Sequence, residues 1–178
     1  MSIIVRGKSY ECKEDKPVSI HIPEYNIIIS DTYLGKDVAI WSNVNIYGAK
    51  IGAESKIGSF VEIRKDVVIG DRVKIEPFVF IPEGVTLEDE VFIGPSVTFT
   101  NDIYPASVLP DGKLITEYDI TKTFVRRRAA IGAGSTILCG VDIGENALVG
   151  VGTTIIENVP AGAVVYGEKG QLRRMKNN

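Results

Sequence analysis

Few side chains in this sequence are equipped for chemistry, and several of them fall close together. Asn101 and Asp102 stand side by side just ahead of Pro105, with Tyr104 two positions on. Glu62 directly follows Val61, and Glu83 directly precedes Gly84. An amide both donates and accepts hydrogen bonds, and a carboxylate accepts them and pairs with cations. Such a set suits holding and orienting an amine. Metal chemistry is not expected, because the chain has one histidine, His21, no CxxC and no carboxylate cluster at ligand spacing. The lone histidine also bears on the nucleophile. An alcohol is too weakly acidic to act as a nucleophile without a base. An α-amino-type group, with a pKa of roughly 8, is already partly neutral near neutral pH. A site without a histidine base therefore relies on orientation and charge stabilisation, and suits a nitrogen nucleophile.

The elements that must position these residues follow from one periodicity. From Ile51 an aliphatic or aromatic residue returns at every sixth position through Ile57, Ile63, Ile69, Ile75, Ile81, Leu87, Ile93 and Phe99. The phase is then lost and resumes at Val125, Ile131, Ile137, Ile143, Val149 and Ile155. Upstream, Ile28, Leu34, Ile40 and Ile46 keep the step, with one residue missing before Ile51. A small or β-branched residue follows each of these at an offset of four, as at Ser55, Val61, Val67 and Val73, and glycine often follows at an offset of one. A step of six fits no α-helix, whose apolar stripe needs steps of three and four. It fits short strands joined by tight corners, with aliphatics inward and Gly, Asn and Asp supplying the special corner angles. Three strands make one triangular coil, and coils stack at about 4.8 Å.

Residues 1–27 lie outside this period, and Val18–Ile22 alternates like a strand that caps or leads into the first coil. A cap is needed because a terminal coil exposes an unpaired edge and an open core. Residues 105–124 interrupt the solenoid, and a loop that long in a strict repeat tends to be functional. A neutral surface insertion is the alternative. Residues 160–178 form the C-terminal segment, with turns through Gly167 followed by a charged end, Glu168–Asn178, expected to form a short helix or fray. One domain is expected over all 178 residues. A formal net charge of −3 gives no broad reason to bind nucleic acid or anionic membrane. The opening MSIIVRGKSYECKEDKP is too polar for a signal peptide, and no apolar run approaches the roughly 20 residues that span a bilayer. Two cysteines, Cys12 and Cys139, make no disulfide framework, so a cytoplasmic location is expected.

The combined pattern resembles the hexapeptide-repeat acyltransferases from about Ile28 to Val159, and that resemblance implies a left-handed parallel β-helix. The hand comes from the resemblance, since the general crossover rule is right-handed. The segment VTLEDEVFIGPSVTFTNDIYP (Val85–Pro105) is similar to a stretch of bacterial N-acyltransferases that modify the amine of dTDP- or UDP-linked 3-amino sugars destined for surface glycans. IGAGSTILCGVDIGENALVGVGTTIIENVPAGAVVYG (Ile131–Gly167) is similar to hexapeptide acyltransferases in general.

The resemblance implies a homotrimer with its site between subunits, acetyl-CoA as co-substrate, and a nucleotide sugar as acceptor. It puts Asn101 near the amine and the thioester. Asp102 is expected to bind the amine as a cation, unless it simply starts the loop as an Asx-turn. Glu62 and Glu83 are secondary candidates, read as corner residues. Phe78, Phe80 and Tyr104 are candidates for stacking on a nucleotide base, with packing as the alternative. The resemblance gives Ala133, Gly134, Gly150, Val151 and Gly152 to the pantetheine arm of CoA. Lys169, Arg173 and Arg174 are candidates for its phosphates. The rival readings are an O-acetyltransferase acting on a hydroxyl, which would call for a histidine in the solenoid, and a non-catalytic β-helix subunit.

Overall fold

A computed structural model describes residues 2–11, 16–116 and 119–167. Strands dominate it, and one 3-10 turn at Pro23–Tyr25 is the helical element among these residues. Four strands open the chain: β1 (Ser2–Val5), β2 (Lys8–Glu11), β3 (Val18–Ile22) and β4 (Ile27–Leu34). Nearly all later strands are two or three residues long and pair in parallel with the strand one coil earlier. The result is a β-solenoid of about eight turns, consistent with the left-handed β-helix expected.

Three faces, here A, B and C, run the length of the solenoid. Ile40, Ile57, Ile75, Ile93, Ile131 and Val149 stack inside face A. Ile29, Ile46, Ile63, Ile81, Phe99, Ile137 and Ile155 belong to face B. Leu34, Ile51, Ile69, Leu87, Val125 and Ile143 belong to face C. These residues are buried in one continuous core, together with the offset-four column of Val61, Val67, Val73 and their equivalents. Burying each such side chain contributes about 1.5–3 kcal/mol, which sets off the entropy lost in ordering so many short strands.

Two details of the hexad differ from the sequence reading. Glycines such as Gly52 and Gly132 do not supply the left-handed corner angle. A Cβ on Gly52 would lie 2.4 Å from the carbonyl carbon of Gly70, and one on Gly132 would lie 2.6 Å from the backbone nitrogen of Val151. They are small because the next coil's backbone crosses there. The positive φ sits two residues later and is mostly carried by other residues, among them Glu54, Phe60, Arg72, Phe78, Glu90 and Arg128. That conformation costs roughly 1–2 kcal/mol in a residue with a Cβ. A backbone bond to the preceding coil compensates at each, as in Glu54 N to Lys36 O at 2.8 Å and Arg72 N to Ala53 O at 2.8 Å.

The second difference is Ile28, which is exposed while Ile27 and Ile29 are buried. In the long strand β4 the pleat alternates, and pairing with Val44 and Ile46 turns Ile27 and Ile29 inward. The missing residue after Ile46 is absorbed at Gly48, whose φ is +64°. At the N-terminal end β3 pairs antiparallel with β4, and β1 joins face A beside Val38–Ile40 with β2 folded back on it. His21 is exposed on β3, away from the hexads.

The interruption falls at a B–C corner, between Phe99 and Val125. Strand pairing resumes at Thr123–Val125, so Thr123 and Phe124 belong to face C and not to the loop. The loop has its own turn, with Val108 bridging Leu114 and Leu109 N donating to Lys113 O at 2.8 Å. Its return is pinned to the solenoid: Thr123 N donates to Gly84 O, and Gly140 N donates to Thr123 Oγ1. Gly84 has a φ of +89°, and a Cβ there would meet Ile120 Cγ2 at 2.5 Å. Glycine is required at this corner by conformation and by the loop passing over it.

Candidate active site

Three six-residue faces make one coil of 18 residues, so chemistry can be assembled from residues far apart in sequence. Glu83 and Asn101 occupy the same place in the B–C corners of successive coils, and Asn101 Nδ2 donates to Glu83 Oε2 at 3.2 Å. Glu83 is 5% exposed, although its type and corner position read as solvated. A buried carboxylate needs partners. The other partner is Arg64, whose guanidinium lies 3.8 Å from Glu83 Oε1.

Arg64 stands at the centre of a small group on the outer side of face B. Its Nε donates to Glu62 Oε1 at 3.2 Å, and its guanidinium lies 5.6 Å from the centre of the Phe80 ring. The hydrogen bond to Glu62 is the main reason the guanidinium is held even more firmly protonated than usual. The Tyr47 phenol lies beside this group and is pushed up, chiefly by burial. Glu62 is not a corner residue: it lies in the face B strand Glu62–Ile63, half-buried and pointing outward.

Asp102 and Tyr104 begin the loop. Asp102 Oδ1 accepts the backbone N–H of Tyr104 at 2.8 Å, the Asx-turn geometry, and the Tyr104 ring is 88% exposed. The carboxylate keeps a second oxygen for other partners. The start of the loop is tied to its return by Thr121 N donating to Asn101 O at 3.3 Å, and to the following coil by Cys139 N donating to Thr100 Oγ1 at 2.9 Å. Cys139 is a free, buried thiol one coil above Asn101.

The remaining candidates lie at a different edge. Ala133, Gly134, Val151 and Gly152 line the A–B corner, where Val151 is exposed and nothing stands within 4 Å of a Cβ built on Gly134 or Gly152. Gly150 does not open on this surface. It is buried, and the Tyr166 ring covers it, 2.4 Å from where a Cβ would be. Phe78 is exposed on the same edge and stacks on Phe60, ring centres 4.9 Å apart and 5° from parallel. Lys169, Arg173 and Arg174 lie outside the described residues.

The structure therefore brings Glu62, Glu83, Asn101 and Asp102 to the B–C side and leaves the small-residue cradle and Phe78 on the A–B side. Face B separates the two within one chain. The sequence reading missed Arg64, Tyr47 and Phe60. The first two look like ordinary surface residues until neighbouring coils are stacked on one another. Phe60 carries a signal of its own, as a bulky residue at a left-handed position with φ +59°. Among the described residues there is no group of three or more His, Cys, Asp or Glu that could hold a metal ion, and no helix long and apolar enough to cross a membrane.

The fold is a β-solenoid whose three faces repeat every six residues. A family model described as bacterial transferase hexapeptide (six repeats) matches residues 48–83 and 66–101, and the chain carries that repeat. The bifunctional protein GlmU of Methylococcus capsulatus is 29% identical over 150 residues, which cover 83% of this chain and 32% of GlmU. The chain thus spans about a third of the length of that relative. Among solved structures, a point mutant of AntD, an N-acyltransferase from Bacillus cereus in complex with dTDP and coenzyme A, superposes with a TM-score of 0.66. It is 22% identical, covering 79% of this chain and 84% of AntD. The hexapeptide-repeat acetyltransferase VCA0836 of Vibrio cholerae, complexed with acetyl-CoA, has a TM-score of 0.55 at 22% identity, covering 74% of this chain and 72% of that one. At these identities the shared property is the fold.

Proposed function

We propose that this chain is an acyltransferase that moves an acetyl group from acetyl-CoA to the amine of a nucleotide-activated amino sugar. The observation that carries the reading is the buried Glu83 bonded to Asn101 at the corner where the loop departs. A carboxylate and an amide held this way suit an amine acceptor. No described histidine lies in the hexads to serve a hydroxyl. AntD supports the reading from outside, since one of its structures holds dTDP-4-amino-4,6-dideoxyglucose together with coenzyme A. The sequence resemblance points to a 3-amino sugar, and that ligand carries its amine at the 4-position.

In this mechanism Asn101 gives one amide hydrogen to Glu83, which leaves Oδ1 as the acceptor it offers a ligand. An amine N–H bound to Oδ1 orients the nitrogen lone pair, the arrangement through which proximity lowers the barrier. The neutral nitrogen attacks the thioester carbonyl carbon, forming the C–N bond as the carbonyl pair moves onto oxygen. Collapse of this intermediate breaks the C–S bond and expels the CoA thiolate. The proton lost from nitrogen passes to that thiolate or to solvent. Asp102, through its uncommitted oxygen, attracts the amine as a cation before it loses its proton. Ala133, Gly134, Val151 and Gly152 form the cradle for the pantetheine arm, and Phe78 stacks on the base. Since cradle and amide lie on opposite sides of face B, a complete site takes one edge from each of two chains, in keeping with a homotrimer.

Incubation of purified protein with acetyl-CoA and a panel of dTDP- and UDP-amino sugars, following thiol release, tests the proposal. Turnover on an amino sugar is expected. Turnover on a hydroxyl acceptor alone would reject it.

A further inference from the structure

We propose that Arg64 is a positioning residue that sets the polarity of the site, acting through Glu83 on the amide of Asn101. The proposal rests on the reading of Asn101 as the amine contact. It starts from a linear chain of contacts across three coils: Glu62 Oε1 to Arg64 Nε at 3.2 Å, Arg64 to Glu83 Oε1 at 3.8 Å, and Glu83 Oε2 to Asn101 Nδ2 at 3.2 Å. The two oxygens of Glu83 are thus divided between a cation and an amide.

An amide side chain can be turned either way, and its neighbours choose. Facing an ionised carboxylate, Asn101 must present Nδ2, because a carboxylate only accepts. Its Oδ1 is then the atom left for the substrate. A carboxylate 5% exposed is stable as an anion only with a charged or donating partner. Arg64 supplies the charge, and the Phe80 face and Glu62 keep it in place. Without Arg64, no cation holds Oε1, and Glu83 swings away from the corner and releases Nδ2. The amide of Asn101 then loses its fixed orientation, and in the turned-over form the cleft meets its NH2 end. An amine N–H facing that NH2 group has no acceptor. Arg64 thereby decides whether the site recognises a hydrogen-bond donor or an acceptor, without touching the substrate.

The test compares wild type, Arg64→Met, Arg64→Lys and Glu62→Gln as full-length chains, each checked by thermal unfolding. Selective ¹⁵N-asparagine labelling reports the Asn101 side-chain amide, assigned by its disappearance in Asn101→Ser. The expected result is a shifted, exchange-protected Asn101 amide in wild type that moves to the free-amide position in Arg64→Met. Arg64→Lys keeps the native signal in part, since it restores charge but not the planar fork. Glu62→Gln gives a smaller shift of the same sense and keeps the proposal testable if Arg64→Met fails to fold. With an amino-sugar acceptor, kcat of Arg64→Met falls about tenfold or more while KM for acetyl-CoA is unchanged. A native Asn101 signal in folded Arg64→Met overturns the proposal, as does a signal lost equally in Arg64→Lys. If the amide responds as expected but no amino sugar is turned over by any form, the relay stands and the assigned reaction falls.

Discussion

Two columns of charged residues run along this solenoid, and they have opposite character. At the C–A corners Glu90 receives Arg72 at 2.9 Å, Arg127 at 3.2 Å and Arg128, while Arg126 bridges Glu88 at 2.9 Å and Asp142. Three guanidiniums hold the Glu90 carboxyl down at about 2, with Arg128 the largest contributor. The column is open to water and its acceptors are fully used. At the B–C corners Glu83 has one cation at 3.8 Å and one amide, and it is buried. The same stacking geometry produced both. A corner column becomes a site only where burial raises the stakes of each bond and where bonding capacity is left over. At the B–C corner the inserted loop passes over Gly84, beside Glu83, and provides the exit from strict repetition.

The sharpest break of this comparison is a pair of isosteric substitutions. Glu83→Gln leaves one acceptor oxygen to serve both Arg64 and Asn101 and sets an NH2 group against one of them, and turnover is expected to fall about 100-fold, the scale of losing one oriented polar contact in a reacting site. Glu90→Gln is expected to leave turnover unchanged. Equal effects in the acetyl-transfer assay would erase the distinction between the columns.

Next in size, Gly84→Ala forces a side chain into φ +89° and pushes on Ile120. A loss of about 1–2 kcal/mol in urea unfolding is expected from the backbone conformation, together with reduced turnover as the loop return lifts. Glu54→Ala, already left-handed at φ +59° on the C–A side, should leave turnover unaffected.

Arg126→Met removes the bridge between Glu88 and Asp142, and the expected loss is within about 1 kcal/mol because the pairs are half-exposed. It should shrink further at high salt, where exposed charges are screened.

The smallest effect is the pH dependence of Glu90. Its carboxyl is lowered from 4.5 to about 2 in the folded chain, so its contribution is present above 4.5 and is lost as the pH falls toward 2. Glu90→Gln should be less stable than wild type near neutral pH, and the two should converge as the pH falls through that acid range. Urea titrations at both ends of the window check the sign.

Much of this was legible in the sequence because six is a geometric period. The inward columns follow from it, and so does the point where the loop leaves. The pairing of Glu83 with Asn101 was also within reach, since 18 residues is one full coil. Other features were not. Ile27, Ile28 and Ile29 are equally apolar, and only pairing with Val44 and Ile46 turned the middle one outward. Glu62 reads like a corner residue but lies in a strand, and Gly150 reads as open but lies under Tyr166. Arg64 looks like a solvated base, because nothing local announces that its guanidinium reaches into the next coil.

The sequence by itself determined the hexad, the stacked core and the residue types available at each corner, because inward packing and corner angles are local demands repeated along the chain. Only the tertiary structure decided which side chains of different coils meet, how deeply Glu83 is buried, and which way the amide of Asn101 is turned. Those outcomes depend on distances between coils and on the loop's return over Gly84, and no short stretch of sequence encodes them.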